Sequence, residues 1–211
     1  MTKKIYINIV VLSIVLGLII LINNPYVNLL LAFLVIVVFV FSNLNSDFND
    51  LFQNNKSHLK LLPISLGYAI LIQIAAHFVL YPVIVWFTNA PINLGPFDLV
   101  RGNLKAFTIS LAIGWFVGGL LEETIFRGFL LKTFESLFPK KIGLIIGVLF
   151  SSFLFGFLHS YQGISGQLLT GTAGVFLAII YLANNRNLWL NIYVHGMMNS
   201  ISMLLIYFKI V

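Results

Sequence analysis

Six ionisable side chains stand inside apolar runs of this sequence: His77, Glu122, Glu123, Arg127, His159 and His195. On insertion scales a charge at the bilayer centre costs roughly 2.5–3.5 kcal/mol, and residues kept at that cost face a bundle interior or a watery cavity. Function is their default reading. Read as a helix, Gly119-Leu-Leu-Glu-Glu-Thr-Ile-Phe-Arg-Gly128 puts Glu123 and Arg127 four apart on one face, where they can pair. Glu122 then points about 100° away, with no partner in its own helix. His159 closes Phe155-Gly-Phe-Leu-His159, and His195 opens His195-Gly-Met-Met-Asn199, with Asn199 one turn further along the same face. A lone buried histidine is more often a satisfied core residue than a catalytic one. Three apolar segments that each deliver a polar group into one bilayer are a different matter. A carboxylate with two imidazoles can activate a water or bind a divalent metal. An amide one turn from a histidine can donate to a developing oxyanion.

The elements that must position these groups are membrane helices. Of 211 residues, 60% are hydrophobic and 9% charged, against about 25% charged in a soluble domain. A soluble fold of this size buries only about 70% of its unfolded surface, so lipid must be the solvent. The expected fold is all-α, a polytopic transmembrane bundle of about seven helices, with six to eight in range. The apolar stretches run over 5–22, 26–43, 62–87, 106–130, 142–160, 164–183 and 188–208, each close to the 20 or so residues a span needs. Breaks fall at Asn23-Asn24-Pro25, Asn43 to Lys60, Asn89 to Asn103, Pro139-Lys140-Lys141, Ser160 to Gly163 and Asn184 to Asn187. No repeat or linker divides residues 1–211, which read as one integral membrane domain. The first run follows Lys3 and Lys4 but lacks a small-residue cleavage site, so it reads as a retained span.

The net charge of +6 lies in the loops, which reads as topology rather than nucleic-acid binding. With the N-terminus in the cytoplasm, the inner side holds Lys3, Lys4, Lys56, Lys60, Lys132, Lys140, Lys141 and Arg186. The outer side holds Arg101, Lys105 and Lys209. Cysteine is absent, which excludes disulfides, thiolate metal sites and a Cys nucleophile.

The three motifs together, Glu-Glu-x-x-x-Arg at 122–127, Phe-x-x-x-His at 155–159 and His-x-x-x-Asn at 195–199, resemble those of the CAAX-protease and bacteriocin-processing family, also called Abi. The resemblance covers about residues 105–205. It implies an intramembrane endopeptidase acting on a membrane-associated peptide or protein, with bacteriocin processing or self-immunity as a narrower form, at a bacterial plasma membrane. By this resemblance Glu122 is the general base and His159 its partner on the attacking water. His195 and Asn199 stabilise the oxyanion, while Glu123 with Arg127 organises the site or holds the substrate's end, and Phe155 supports the site. Zinc or another divalent metal on Glu122, His159 and His195 and a metal-free glutamate mechanism are both open. The usual His-Glu-x-x-His zinc signature is absent. Two other functions compete: a non-catalytic scaffold or immunity protein of the same fold, and a proton-coupled transporter. His77, with Gln73 one turn before it, reads chiefly as an interhelical hydrogen bond. His58 reads as a solvated loop residue.

Overall fold

The computed structural model describes residues 3–22, 24–42, 44–48, 50–53 and 57–211. Asn23, Asn43 and Lys56, assigned to loops above, lie outside the described residues. Among the described residues the chain forms helices and no strand. Helix α1 spans Lys3–Leu21 and α2 Pro25–Phe41. Helix α3 runs over His58–Thr88 and α4 over Leu104–Leu137, at 31 and 34 residues. Then come α5, Lys140–Phe157, α6, Gly163–Ala183, and α7, Leu188–Tyr207. Asparagines start three of them. Asn24 accepts from the N–H groups of Tyr26 and Val27, Asn103 from Ala106 and Asn187 from Leu190. Such caps satisfy orphan donors and contribute about 1 kcal/mol each.

Among the described residues, five helical stretches are long and apolar enough to cross a membrane: Lys3–Leu21, His58–Thr88, Leu104–Leu137, Lys140–Phe157 and Ser160–Ala183. Tyr26–Phe41 is apolar but shorter. Helix α7 is 20 residues long, and Asn191, His195 and Asn199 on one of its faces dilute its apolarity. The outward faces suit lipid: Phe78, Trp86, Phe87 and Phe153 are all largely exposed. The core centres on the second half of α4. Ile125, Phe129, Leu130 and Leu131 are fully buried there, packed with Val15 of α1, Ile36 of α2 and Phe48.

The two ends of the bundle differ. At one end the N-terminus and the α2–α3, α4–α5 and α6–α7 links meet. Lys4 pairs with Asp47 at 2.9 Å and Lys132 with Asp50 at 2.8 Å. Arg186 pairs with Glu135, and Asn8 donates to Ser136 at 2.7 Å. At the other end, Asn93 donates to the Tyr161 carbonyl and Arg101 to the Val211 carbonyl. This alternation follows the order of apolar runs read from the sequence.

Several boundaries differ from the sequence reading. The polar run Lys132–Leu137 continues α4 as one helix beyond the apolar stretch 106–130. His58 is not a loop residue. It opens α3, its Nδ1 lies 2.7 Å from the Tyr193 hydroxyl, and its ring meets Trp189 edge-on. Helix α5 stops at Phe157, so His159 stands in the turn beyond it rather than on the span. The cause is local. The His159 ring Nδ1 takes the Phe155 carbonyl at 2.8 Å, and the backbone N–H of His159 bonds to Gly156 instead. The carbonyl that a continued helix would give to the residue 159 N–H is therefore engaged by the side chain.

Candidate active site

Three stretches of wide, i→i+5 helix carry site residues. Ala76–Leu80 in α3 holds His77, Gly114–Glu122 in α4 holds Glu122, and Thr124–Leu131 holds Arg127. Such turns cluster at functional sites because they re-aim side chains within an otherwise regular helix. In α3 the wide turn immediately precedes Pro82. Proline has no N–H to donate and its ring clashes with the carbonyl four residues back, so the widened turn accommodates it.

Glu123 is the hub. Its side chain is wholly buried. One oxygen, Oε1, accepts from Arg127 Nη1 at 2.7 Å and faces His195 Nδ1 at 2.8 Å. The other, Oε2, accepts from Asn191 Nδ2 at 3.1 Å. The expected Glu123–Arg127 pair is present, and Arg127 is 1% exposed. Its second nitrogen donates to the Gly174 carbonyl at 3.0 Å, and its guanidinium sits 4.8 Å above the Phe155 ring. A carboxylate can only accept. The His195 proton is therefore on Nδ1, and Nε2 is turned the other way. There it meets Glu122, whose Oε2 lies 3.8 Å off.

Glu122 sits on the wall of a cavity of about 640 Å³. The same cavity is lined by His159, His195, Asn199 and Phe155. His159 gives Nδ1 to its own helix end, which leaves Nε2 as its free acceptor. Asn199 donates one N–H to the Gly114 carbonyl at 2.9 Å and keeps a second. Glycine makes that fit: a Cβ at Gly118 would overlap Asn199 Nδ2 and stand 3.4 Å from His195 Nε2. Phe155 is the wedge between these groups, with its ring 5.0 Å from that of His159 and 5.7 Å from that of His195. Arg127, sealed behind Glu123, does not line the cavity.

The α6–α7 link is recessed from the tip of the α4–α5 hairpin. His195 lies only eight residues beyond Asn187, yet it reaches Glu123, 16 residues before the Pro139 tip of the α4–α5 hairpin. Arg186 pairs with Glu135, four residues short of that tip. The α6–α7 link thus docks about 6 Å inside it, at 1.5 Å per helical residue.

His77 also lines the cavity, with Nδ1 3.1 Å from the Gln73 carbonyl in its own helix. The bonds between helices come from Gln73, which donates to the Met198 carbonyl and to Ser202. Asn191 was not singled out from the sequence. Its signal was there, because Asn191, His195 and Asn199 repeat every four residues and share one face of α7. Among the described residues, no three His, Asp or Glu side chains are grouped so as to hold a metal ion. Glu122, His159 and His195 share the cavity without forming such a group.

No curated protein and no solved structure matches the chain. Residues 104–201, which carry all three motifs, match the family model of the type II CAAX prenyl endopeptidases, Rce1-like.

Proposed function

We propose that the chain is an intramembrane endopeptidase that hydrolyses a membrane-associated peptide or protein. The observation that carries this reading is one cavity that gathers Glu122, His159, His195 and Asn199, with Glu122 Oε2 3.8 Å from His195 Nε2. Glu122 is the carboxylate left over after Glu123 is engaged by Arg127, Asn191 and His195. It takes a proton from a water held against His159 Nε2. The oxygen of that water attacks the scissile carbonyl carbon, and the carbonyl π electrons move onto oxygen. The second amide N–H of Asn199 donates to this oxyanion. His195, held through Nδ1 by Glu123, presents Nε2 on the Glu122 side. The proton on Glu122 then passes to the amide nitrogen, the C–N bond breaks, and acid and amine products leave. General base and oxyanion groups contribute about 10²–10⁴-fold and 10²–10³-fold in such reactions.

The steps use these side chains alone. Glu123, Arg127 and Phe155 organise the site. Full burial of Arg127 favours that role over holding the end of a substrate. The distribution of basic residues supports a cytoplasmic N-terminus. The test compares the peptides accumulated in membranes carrying wild type and Glu122→Gln, by mass spectrometry. A precursor that builds up only with the variant is the expected result. Identical profiles with the protein's biological effect retained would overturn the proposal.

A further inference from the structure

The cavity has a direction. Beyond the catalytic groups its wall is built from Tyr26, Leu94, Phe97, Tyr161 and Val211. These residues come from the start of α2, the α3–α4 link, the α5–α6 link and the C-terminus, which are the parts that meet at one end of the bundle. No described residue of 44–60, 132–141 or 184–187, the links at the other end, lines it.

Below Glu122 the way is closed. Every residue of α4 from Leu121 to Leu131 is buried. Among them Ile125, Phe129, Leu130 and Leu131 have no exposed surface, and Arg127 fills the space behind Glu123. An apolar plug two to three turns deep thus separates the catalytic groups from the end that holds Lys132, Lys140 and Lys141.

That closed end carries most of the basic charge. Among the described residues it holds Lys3, Lys4, Lys60, Lys132, Lys140, Lys141 and Arg186, whereas the open end holds Arg101, Lys105 and Lys209. The links are short, the regime in which lysine and arginine bias sets orientation. We propose that the active-site cavity opens on the extracytoplasmic face, and that its substrate is a peptide segment presented there against the lipid. The word substrate rests on the endopeptidase reading. The facing of the cavity does not.

The chain has no cysteine, so single thiols report position without background. Leu99→Cys marks the open end, Lys141→Cys the closed end and Ser110→Cys the cavity wall. A membrane-impermeant maleimide is applied to intact cells and then to permeabilised ones. Leu99→Cys and Ser110→Cys are expected to react in intact cells, and Lys141→Cys only after permeabilisation. The reverse pattern would overturn the proposal. So would a Ser110 thiol that reacts only from the cytoplasmic side, or from neither side while Leu99→Cys reacts. Repeating the labelling in the Glu122→Gln background separates facing from catalysis, since labelling should not change there even if no peptidase activity exists.

Discussion

Glu123→Gln should do two separable kinds of damage. The substitution keeps the shape and removes the charge. Arg127 then stands 1% exposed with no counter-charge, held only by the Gly174 carbonyl and the Phe155 ring. Breaking a buried pair from one side costs about 3–5 kcal/mol. At roughly 2–4 °C per kcal/mol for a chain of this size, melting falls by about 6–20 °C. An amide oxygen also replaces only part of a carboxylate that met three partners, Arg127, Asn191 and His195, so His195 loses its fixed tautomer. Melting in detergent, followed by intrinsic tryptophan fluorescence, reads the first effect, and peptide turnover reads the second. The double variant Glu123→Gln with Arg127→Met removes the uncompensated charge and should recover most of the melting temperature, with turnover still lost. Glu122→Gln is the control, because Arg127 keeps its direct partner Glu123: turnover goes and melting stays. A Glu123→Gln protein that melts with wild type would refute the account of Glu123 as the hub.

Three further outcomes follow from the cavity wall. Gly118→Ala drives a methyl group into Asn199. Turnover should fall by about 10²–10³-fold, the effect of losing one oxyanion donor, and near-normal turnover would remove Asn199 from that role. His77→Gln alters the α3 wall of the cavity and should raise KM by up to about tenfold, one hydrogen bond's worth, with kcat unchanged; equal KM values would make His77 purely structural. Chelator treatment tests the mechanism proposed above, in which Glu122 acts on a water held by His159, and should leave turnover unchanged. Loss of activity restored by zinc would instead show that Glu122, His159 and His195 close on a metal.

The parts of the site legible in sequence were those set by spacing along one helix. Glu123 and Arg127 pair because four residues bring them to one face, and that holds even where the helix widens. The alternation of bundle ends was legible because basic residues and apolar runs are both linear features. What spacing could not give was the partner across helices. The sequence assigned Glu123 to Arg127 alone, whereas the same oxygen also meets His195 from α7. The end of α5 was misread for a related reason. Phe-Leu-His continues the apolar pattern, and only the ring of His159 on the Phe155 carbonyl ends the helix before it. The wide turns were also invisible, since hydrophobic periodicity does not register one added residue per turn.

The adjacent glutamates are the clearest link between folding and chemistry here. One buried arginine can neutralise one of them. Adjacent positions on one helix turn Glu123 inward, to Arg127, Asn191 and His195, and leave Glu122 on the cavity wall. The inner carboxylate makes the site a stable part of the core, and it orients the histidine. The outer carboxylate has no such structural task, which fits it to the base role proposed above. A single glutamate could not do both. As the partner of Arg127 it would be unavailable as a base, and as a free base it would leave Arg127 buried and unpaired at about 3–5 kcal/mol. The same logic places Phe155 beside both. Its ring lies against Arg127 on one side and against His159 and His195 on the other. It therefore separates the neutralised half of the network from the half that faces the cavity.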